Sequence, residues 1–146
     1  MESQVRYSAE VGRGYIYFDI PLKKKISCTG DLEKGKAYDL LLDFDKKWDI
    51  VGIELEGRAA ERIRTIAGQS HVFQKKVNLN GQVYYSLRLI NEKIRTTITH
   101  PKAKNILFHF ADVPCRDYSG IRDFIGLDIF NNGFYSEQYL IGEKST

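Results

Sequence analysis

Apolar and polar residues alternate in short stretches along most of this chain, the period-two pattern of strands that bury one face. Val5 to Val11 reads as a first strand, and Gly12-Arg13-Gly14 as a tight hairpin turn. Tyr15 to Ile20 follows, with Ile16, Phe18 and Ile20 on one face and Tyr15, Tyr17 and Asp19 on the other. Pro21 ends it, because proline lacks the donor a central ladder needs. Lys25 to Thr29 is a short third strand, and Gly30 to Lys36 a polar loop. Ala37 to Phe44 and Trp48 to Leu55 form a hairpin around Asp45-Lys46-Lys47.

Between Gly57 and Ala67 the period changes. Ala59, Ala60, Ile63, Ile66 and Ala67 recur at helical spacing, and Gly68 is a C-terminal stop. After this predicted helix the strand pattern starts again. Val72 to Leu79 leads into Asn80-Gly81, a strong two-residue hairpin signal, and Val83, Tyr85, Leu87 and Leu89 alternate beyond it.

Three later segments echo the first half in order. Lys93 to Thr97 matches Lys25 to Thr29, Ile106 to Phe110 matches Leu40 to Phe44, and Ile125 to Ile129 matches Val51 to Leu55. Ala111 to Arg122 lengthens the last hairpin. Self-similarity in constant order is a fold-level signal. The expected fold is α+β and mostly antiparallel: two tandem, similar β-meanders with one helix near the middle. The first meander and the helix occupy residues 1–70 and the second meander residues 71–146, packed as one unit.

The first half resembles the bacterial family called domain of unknown function 2283, over residues 5–57 and more weakly over 72–130. Tyr7, Ile16-Tyr17-Phe18, Lys25-Ile26 with Thr29, and Leu42-Asp43-Phe44-Asp45 carry the resemblance, with Ile50-Val51-Gly52-Ile53-Glu54-Leu55 as its best segment. A glycine common after the family's aspartate pair is replaced by Lys47 and Trp48, and Gly14 stands where that family has an acidic residue. The second half keeps Gly126 and Asp128 but has His109 and Ala111 for the aspartate pair. The resemblance implies a fold type and a bacterial origin, and no catalytic residues.

Composition narrows the function classes. The 146 residues include nine Tyr and eight Phe, and the net charge is only +3, a mixed surface rather than a concentrated basic one. Met1 to Arg6 shows no apolar leader, and no run approaches a membrane span, so a cytoplasmic protein is expected. Cys28 and Cys115 lie far apart and read as free thiols.

Candidate chemistry is sparse. Asp43, Asp45 and Asp49 have alternating carboxylates but lack the glycine turn and late glutamate of a calcium loop. Asp45 reads instead as a turn residue and Asp43 as solvent-facing. Glu54 reads as a structural pairing residue. His71, His100 and His109 form no recognisable acid–base set, and Cys115 has no identifiable base. No catalytic residue, metal or cofactor is therefore expected.

The leading expectation is a non-catalytic protein-binding module, concretely an immunity protein that neutralises a toxin domain. Its partner-binding residues are expected to be Asp112, Arg116, Asp117, Tyr118, Trp48 and Tyr135. The alternatives are a nucleic-acid-binding protein using Lys23-Lys24-Lys25, Lys34, Lys36, Lys75 and Lys76, and a hydrolase with an unconventional site. Lysines on edge strands also block aggregation without any ligand. Under the protein-binding reading, Tyr118→Ala is expected to weaken a cognate complex by about 2 kcal/mol while leaving the melting temperature unchanged, as titration calorimetry and thermal melts would measure.

Overall fold

The computed structural model describes residues 3–21, 25–36, 38–112 and 123–143. The first half contributes β1 (Val5–Ser8), β2 (Arg13–Tyr17), β3 (Cys28–Gly30), β4 (Leu40–Phe44) and β5 (Ile50–Glu56). Helix α1 (Gly57–Arg62) and a 3-10 turn (Arg64–Ile66) follow. The second half contributes β6 (Gln74–Val77), β7 (Val83–Arg88), β8 (Thr96–His100), β9 (Ala103–Phe110) and β10 (Phe124–Ile129), then α2 (Glu137–Ile141). The two five-stranded antiparallel sheets have the orders β1-β2-β5-β4-β3 and β6-β7-β10-β9-β8. Strand for strand these are the same order.

The correspondence extends to irregularities that aliphatic patterning alone would not reproduce. Ile53 lies opposite Ile16 and Leu42, and Leu127 lies opposite Leu87 and Phe108. Each sheet is bulged at the same place, with Val51 unpaired against β4 and Ile125 unpaired against β9. The bulged carbonyls accept equivalent bonds, Phe18 N–H to Val51 at 2.9 Å and Leu89 N–H to Ile125 at 2.7 Å. Arg95 N–H donates to Phe110 at 2.8 Å just as Ser27 N–H donates to Phe44 at 2.7 Å. Bulges are designed features of a strand pair, so their coincidence marks two copies of one unit.

One face of each sheet is apolar, and one continuous core covers both. Ile16, Phe18, Leu42, Phe44, Ile53 and Leu55 share it with Leu87, Phe108, Phe110, Leu127 and Ile129, all at most 5% exposed. Rings meet across the halves: Phe18 with Phe73, and Tyr38 with Phe110 at 5.4 Å. Ala59, Ala60 and Ile63 close one end of this core, and Leu140 and Ile141 of α2 are buried in it too. Arg62 and Arg58 both pair with Asp123, and Arg62 also donates to the Phe124 carbonyl at 3.1 Å, tying α1 to the start of β10. Gln4 is fully buried and clamps the chain between the halves. Its amide donates to the Tyr17 carbonyl at 3.1 Å and accepts from Val72 N–H at 3.0 Å.

Several expectations are corrected. The first hairpin turns at residues 9–12, and Arg13 and Gly14 belong to β2. Ile20 is 39% exposed, because the ladder ends at Tyr17 and Asp19 accepts Ile20 N–H in a bend. Val83 is 40% exposed, because it starts β7 opposite Val77 on a hairpin that stands off the core. The helix breaks at Ile63 into a 3-10 turn, since Arg64 to Ala67 must swing back so that Gly68 N–H reaches the Val5 carbonyl at 2.8 Å. Helix α2 was not anticipated; Ser136 caps it by accepting from Tyr139 N–H at 3.3 Å. Among the described residues no helix is long and apolar enough to cross a membrane.

Two glycines have definite steric reasons. A Cβ on Gly52 would come within 2.5 Å of the Tyr15 ring, which lies across the sheet there. A Cβ on Gly126 would come within 2.2 Å of the Leu87 carbonyl oxygen, which is backbone and cannot step aside. Gly126→Ala is therefore expected to cost about 3 kcal/mol or more and Gly52→Ala about 1–2 kcal/mol, measured by urea denaturation.

Candidate functional site

Each sheet carries a buried polar cluster on its outer face, at equivalent register positions. In the first sheet Thr29 lies opposite Asp43, Asp43 opposite Gly52, and Tyr15 opposite Glu54. Asp43 is 1% exposed, contrary to the expectation that it faces solvent. It is covered because Tyr15 crosses Gly52 and donates to its Oδ2 at 2.7 Å, while Thr29 donates to its Oδ1 at 2.5 Å. Glu54 adjoins Asp43. Burial, the Asp43 hydrogen bond and the Asp43 charge all raise its pKa, and Arg13 opposes them only in part. Burial and the Asp43 contact likewise raise the Tyr15 phenol far above its ordinary range.

In the second sheet Thr97 lies opposite His109, His109 opposite Gly126, and Ser86 opposite Asp128. His109 is 4% and Asp128 7% exposed. His109 Nε2 is 2.8 Å from Asp128 Oδ2, and His109 Nδ1 is 2.8 Å from the Thr97 hydroxyl. An ionised carboxylate only accepts, so Nε2 carries the proton and donates to it. Arg88 donates to both Asp128 oxygens, at 3.0 and 3.4 Å. Burial alone would raise the Asp128 pKa. His109 and Arg88 outweigh it, and Ser86 adds to the lowering without meeting strict hydrogen-bond geometry, so the carboxyl falls to about 2.

Sequence reasoning aligned the segments but missed both clusters. The signal was present: Asp43 and His109 share one place in the repeat, Glu54 and Asp128 another. Converting it into contacts required the cross-strand register.

The expected partner-binding residues are scattered. Arg116, Asp117 and Tyr118 lie outside the described residues, as does Cys115. Asp112 is exposed, and its carbonyl accepts from the Thr96 hydroxyl at 2.6 Å. Trp48 is 43% exposed, edge-on to Phe44 at 5.4 Å, with the Lys102 ammonium 5.5 Å from its ring centre. It holds a left-handed φ of 67°, the conformation a glycine adopts most easily. Tyr135 is corrected: it is 5% exposed, and its hydroxyl donates to the Ile50 carbonyl at 2.7 Å. It joins the halves in the core and offers no surface to a partner.

The remaining candidates have local partners. Asp45 makes the expected turn, accepting from Lys47 and Asp49 N–H at 2.8 and 3.0 Å. His71 Nδ1 lies 3.1 Å from the Tyr139 carbonyl, and His100 Nδ1 accepts from Lys102 N–H at 3.0 Å. Burial and the Lys102 charge lower the His100 pKa. Cys28 is a free, exposed thiol. Among the described residues no group of three or more histidine, cysteine or acidic side chains is placed to hold a metal. Lys75 bonds Glu137 at 2.9 Å and Lys36 bonds Glu33 at 3.3 Å, so two of the clustered lysines are committed to ion pairs.

No protein-family model, curated protein or solved structure matches this chain.

The two clusters give opposite pH dependences. Asp128 titrates below its ordinary value of 3.8, so its stabilisation is full above that pH and is lost as pH falls toward about 2. Asp128→Asn is expected to destabilise the protein at pH 7 by on the order of 2 kcal/mol and to flatten the acid limb of the stability curve. Glu54 titrates above its ordinary value of 4.5, so folding favours its proton and stability falls as pH rises past that value. Glu54→Gln is expected to gain up to about 1 kcal/mol relative to the unmodified protein between pH 4 and pH 7. Thermal melts across pH 2–8 check both.

Proposed function

We propose that this chain is a non-catalytic protein-binding module that uses the outer face of its first sheet. The observation that carries the reading is the divergence of two otherwise matched faces. Where the second sheet places Ser86 and Arg88, the first places Tyr15 and Tyr17, whose rings lie 4.4 Å apart. Ile20 and Ile26 extend this aromatic patch with 39% and 53% exposure, and Pro21 lies with them around a shallow depression over Val51. Tyrosine brings large contact area with a polar end, and exposed apolar groups gathered beside charges mark recognition surfaces. The concrete form is an immunity-type protein whose partner is a toxin domain, a reading that rests on analogy with small binding proteins lacking catalytic motifs.

The hydrolase reading has one feature in its favour. Thr97, His109 and Asp128 are connected in the order of a nucleophile, base and orienting acid. The first sheet argues for a structural role. Its Thr29 and Asp43 keep the equivalent threonine hydrogen bond with a carboxyl in place of the imidazole. What the copies share is a hydrogen-bonded polar cluster drawn from four strands, and Arg88 already neutralises Asp128.

Tyr17→Ala and Ile26→Ala are expected to weaken a complex with the adjacent gene's product by about 2 kcal/mol each, in calorimetry, without moving the melting temperature. Thr97→Ala is expected to leave binding unchanged. Absence of a complex at every salt concentration, or a hydrolytic activity that Thr97→Ala removes, would overturn the reading.

A further inference from the structure

We infer that a second site, independent of the proposed protein-binding face, takes a nucleotide, either free or within a single strand. The site is an open groove of about 700 Å³ between the β4–β5 turn and the turn that precedes α2. That volume lies inside the range of small-molecule sites. Lys25, Lys46 and Lys47 line it together with Asp49, Asn132 and Phe134.

Both walls are pinned. In the β4–β5 turn, Asp45 accepts two backbone N–H groups through one carboxylate oxygen, and its own N–H reaches the Asp49 carbonyl at 2.9 Å. In the opposite wall, Asn131 accepts from Gly133 and Tyr135 N–H at 3.0 and 3.1 Å. Asn132 Nδ2 donates to Asp49 Oδ1 at 3.2 Å and joins the walls. The lysines are free of such ties: among the described residues none of the three forms an ion pair. Three lysines from two separate segments therefore line a groove whose walls are tied to each other.

The chemistry of this lining selects its ligand. Lysine ammoniums suit phosphate oxygens as mobile point charges. A bare anion would leave the rest of the groove unused and would meet the Asp49 carboxylate. A nucleotide uses both ends, with phosphate at the lysines and base-edge amino or imino donors at the Asp49 carboxylate, which Asn132 holds in place through its Nδ2 while its Oδ1 accepts from Phe134 N–H at 3.1 Å. The partly exposed Phe134 ring supplies an apolar flank for the base. The groove is not part of the duplicated framework, because the corresponding turn in the second half is the long 111–123 connection. It lies where the first copy's β4–β5 turn meets the segment before α2, as a binding site built from loops on a scaffold does.

The protein carries its own reporter, since its single tryptophan, Trp48, sits between Lys47 and Asp49. Fluorescence titrations, repeated by calorimetry, would use guanosine and adenosine monophosphates, inorganic phosphate, and a six-nucleotide single strand, each at low and moderate salt. Saturable binding of nucleotides at least tenfold tighter than inorganic phosphate is expected. The double variant K46E/K47E is expected to lose at least tenfold in affinity with an unchanged melting curve, because both side chains are exposed. A strand that binds more tightly than the monophosphates, with affinity falling steeply in salt, identifies single-stranded nucleic acid as the source. Equal affinity identifies the free nucleotide. The inference is overturned by silence to every nucleotide in both measurements, by equal binding of inorganic phosphate, or by an undiminished response in K46E/K47E.

Discussion

Neither sheet can hide its apolar face alone. Each is five strands with one greasy side, and the surface that covers it is the corresponding side of its own duplicate. Layered folds are stable only when such faces are paired. Everything else serves this closure. Gln4 fixes the strap between the halves, Arg62 holds α1 to the start of β10, and Tyr135 reaches from the C-terminal segment to the Ile50 carbonyl. A covalent duplicate achieves what a two-fold homodimer would, and it frees the two copies to diverge.

That divergence is unevenly distributed. Inward positions keep their character: Ile53 corresponds to Leu127, Leu42 to Phe108 and Phe44 to Phe110, all at most 1% exposed. Exchanges that keep a position apolar are tolerated by a packed core when total volume and patterning are kept. On the outer faces the chemistry changes sign. A carboxyl pair, Asp43 and Glu54, with Asp43 held by the Tyr15 and Thr29 hydroxyls, corresponds to an ion-paired set, His109, Asp128 and Arg88. Asp43 and His109 both find hydrogen-bond partners on two sides, and they do it with different charges. The framework sets where a polar pair must sit and leaves its identity open.

Much of the fold was legible in the sequence because strand alternation is local. Ile16 and Phe18, Tyr85 and Leu87, and the Asn80-Gly81 turn could be read from neighbouring residues alone. Failures fall where distant chain segments decide. Ile20 leaves the core because the β2–β5 ladder stops at Tyr17, a limit imposed by the bulge at Val51. Helix α2 is only five residues long, too short for a periodic signal, and its cues were the cap at Ser136 and the terminating Gly142. Tyr135 looked like a surface aromatic because no local pattern reveals that its hydroxyl ends on a backbone carbonyl in the other half. The outer-face clusters were invisible for the same reason: Thr29, Asp43, Tyr15 and Glu54 come from four strands and meet only when the register is known.

The same logic locates function within the duplicated scaffold. A feature present in both copies is explained by folding, since each copy must satisfy the same backbone and bury the same face. The Thr29–Asp43 hydrogen bond recurs as Thr97–His109, so folding accounts for that part of the His109 network. A feature present in one copy has no such explanation from the fold. The Tyr15–Tyr17 pair and the exposed Ile26 belong to the first copy, where the second has Ser86 with Arg88 and a less exposed Ile94. Trp48 adds a strained backbone to that surface. Its backbone conformation costs a bulky side chain on the order of 1 kcal/mol, which glycine would avoid, and its ring remains nearly half exposed. Its packing against Phe44 and the Lys102 ammonium returns part of that cost to the fold. The exposed part of the ring stands at the surface of the turn between β4 and β5, on the first copy.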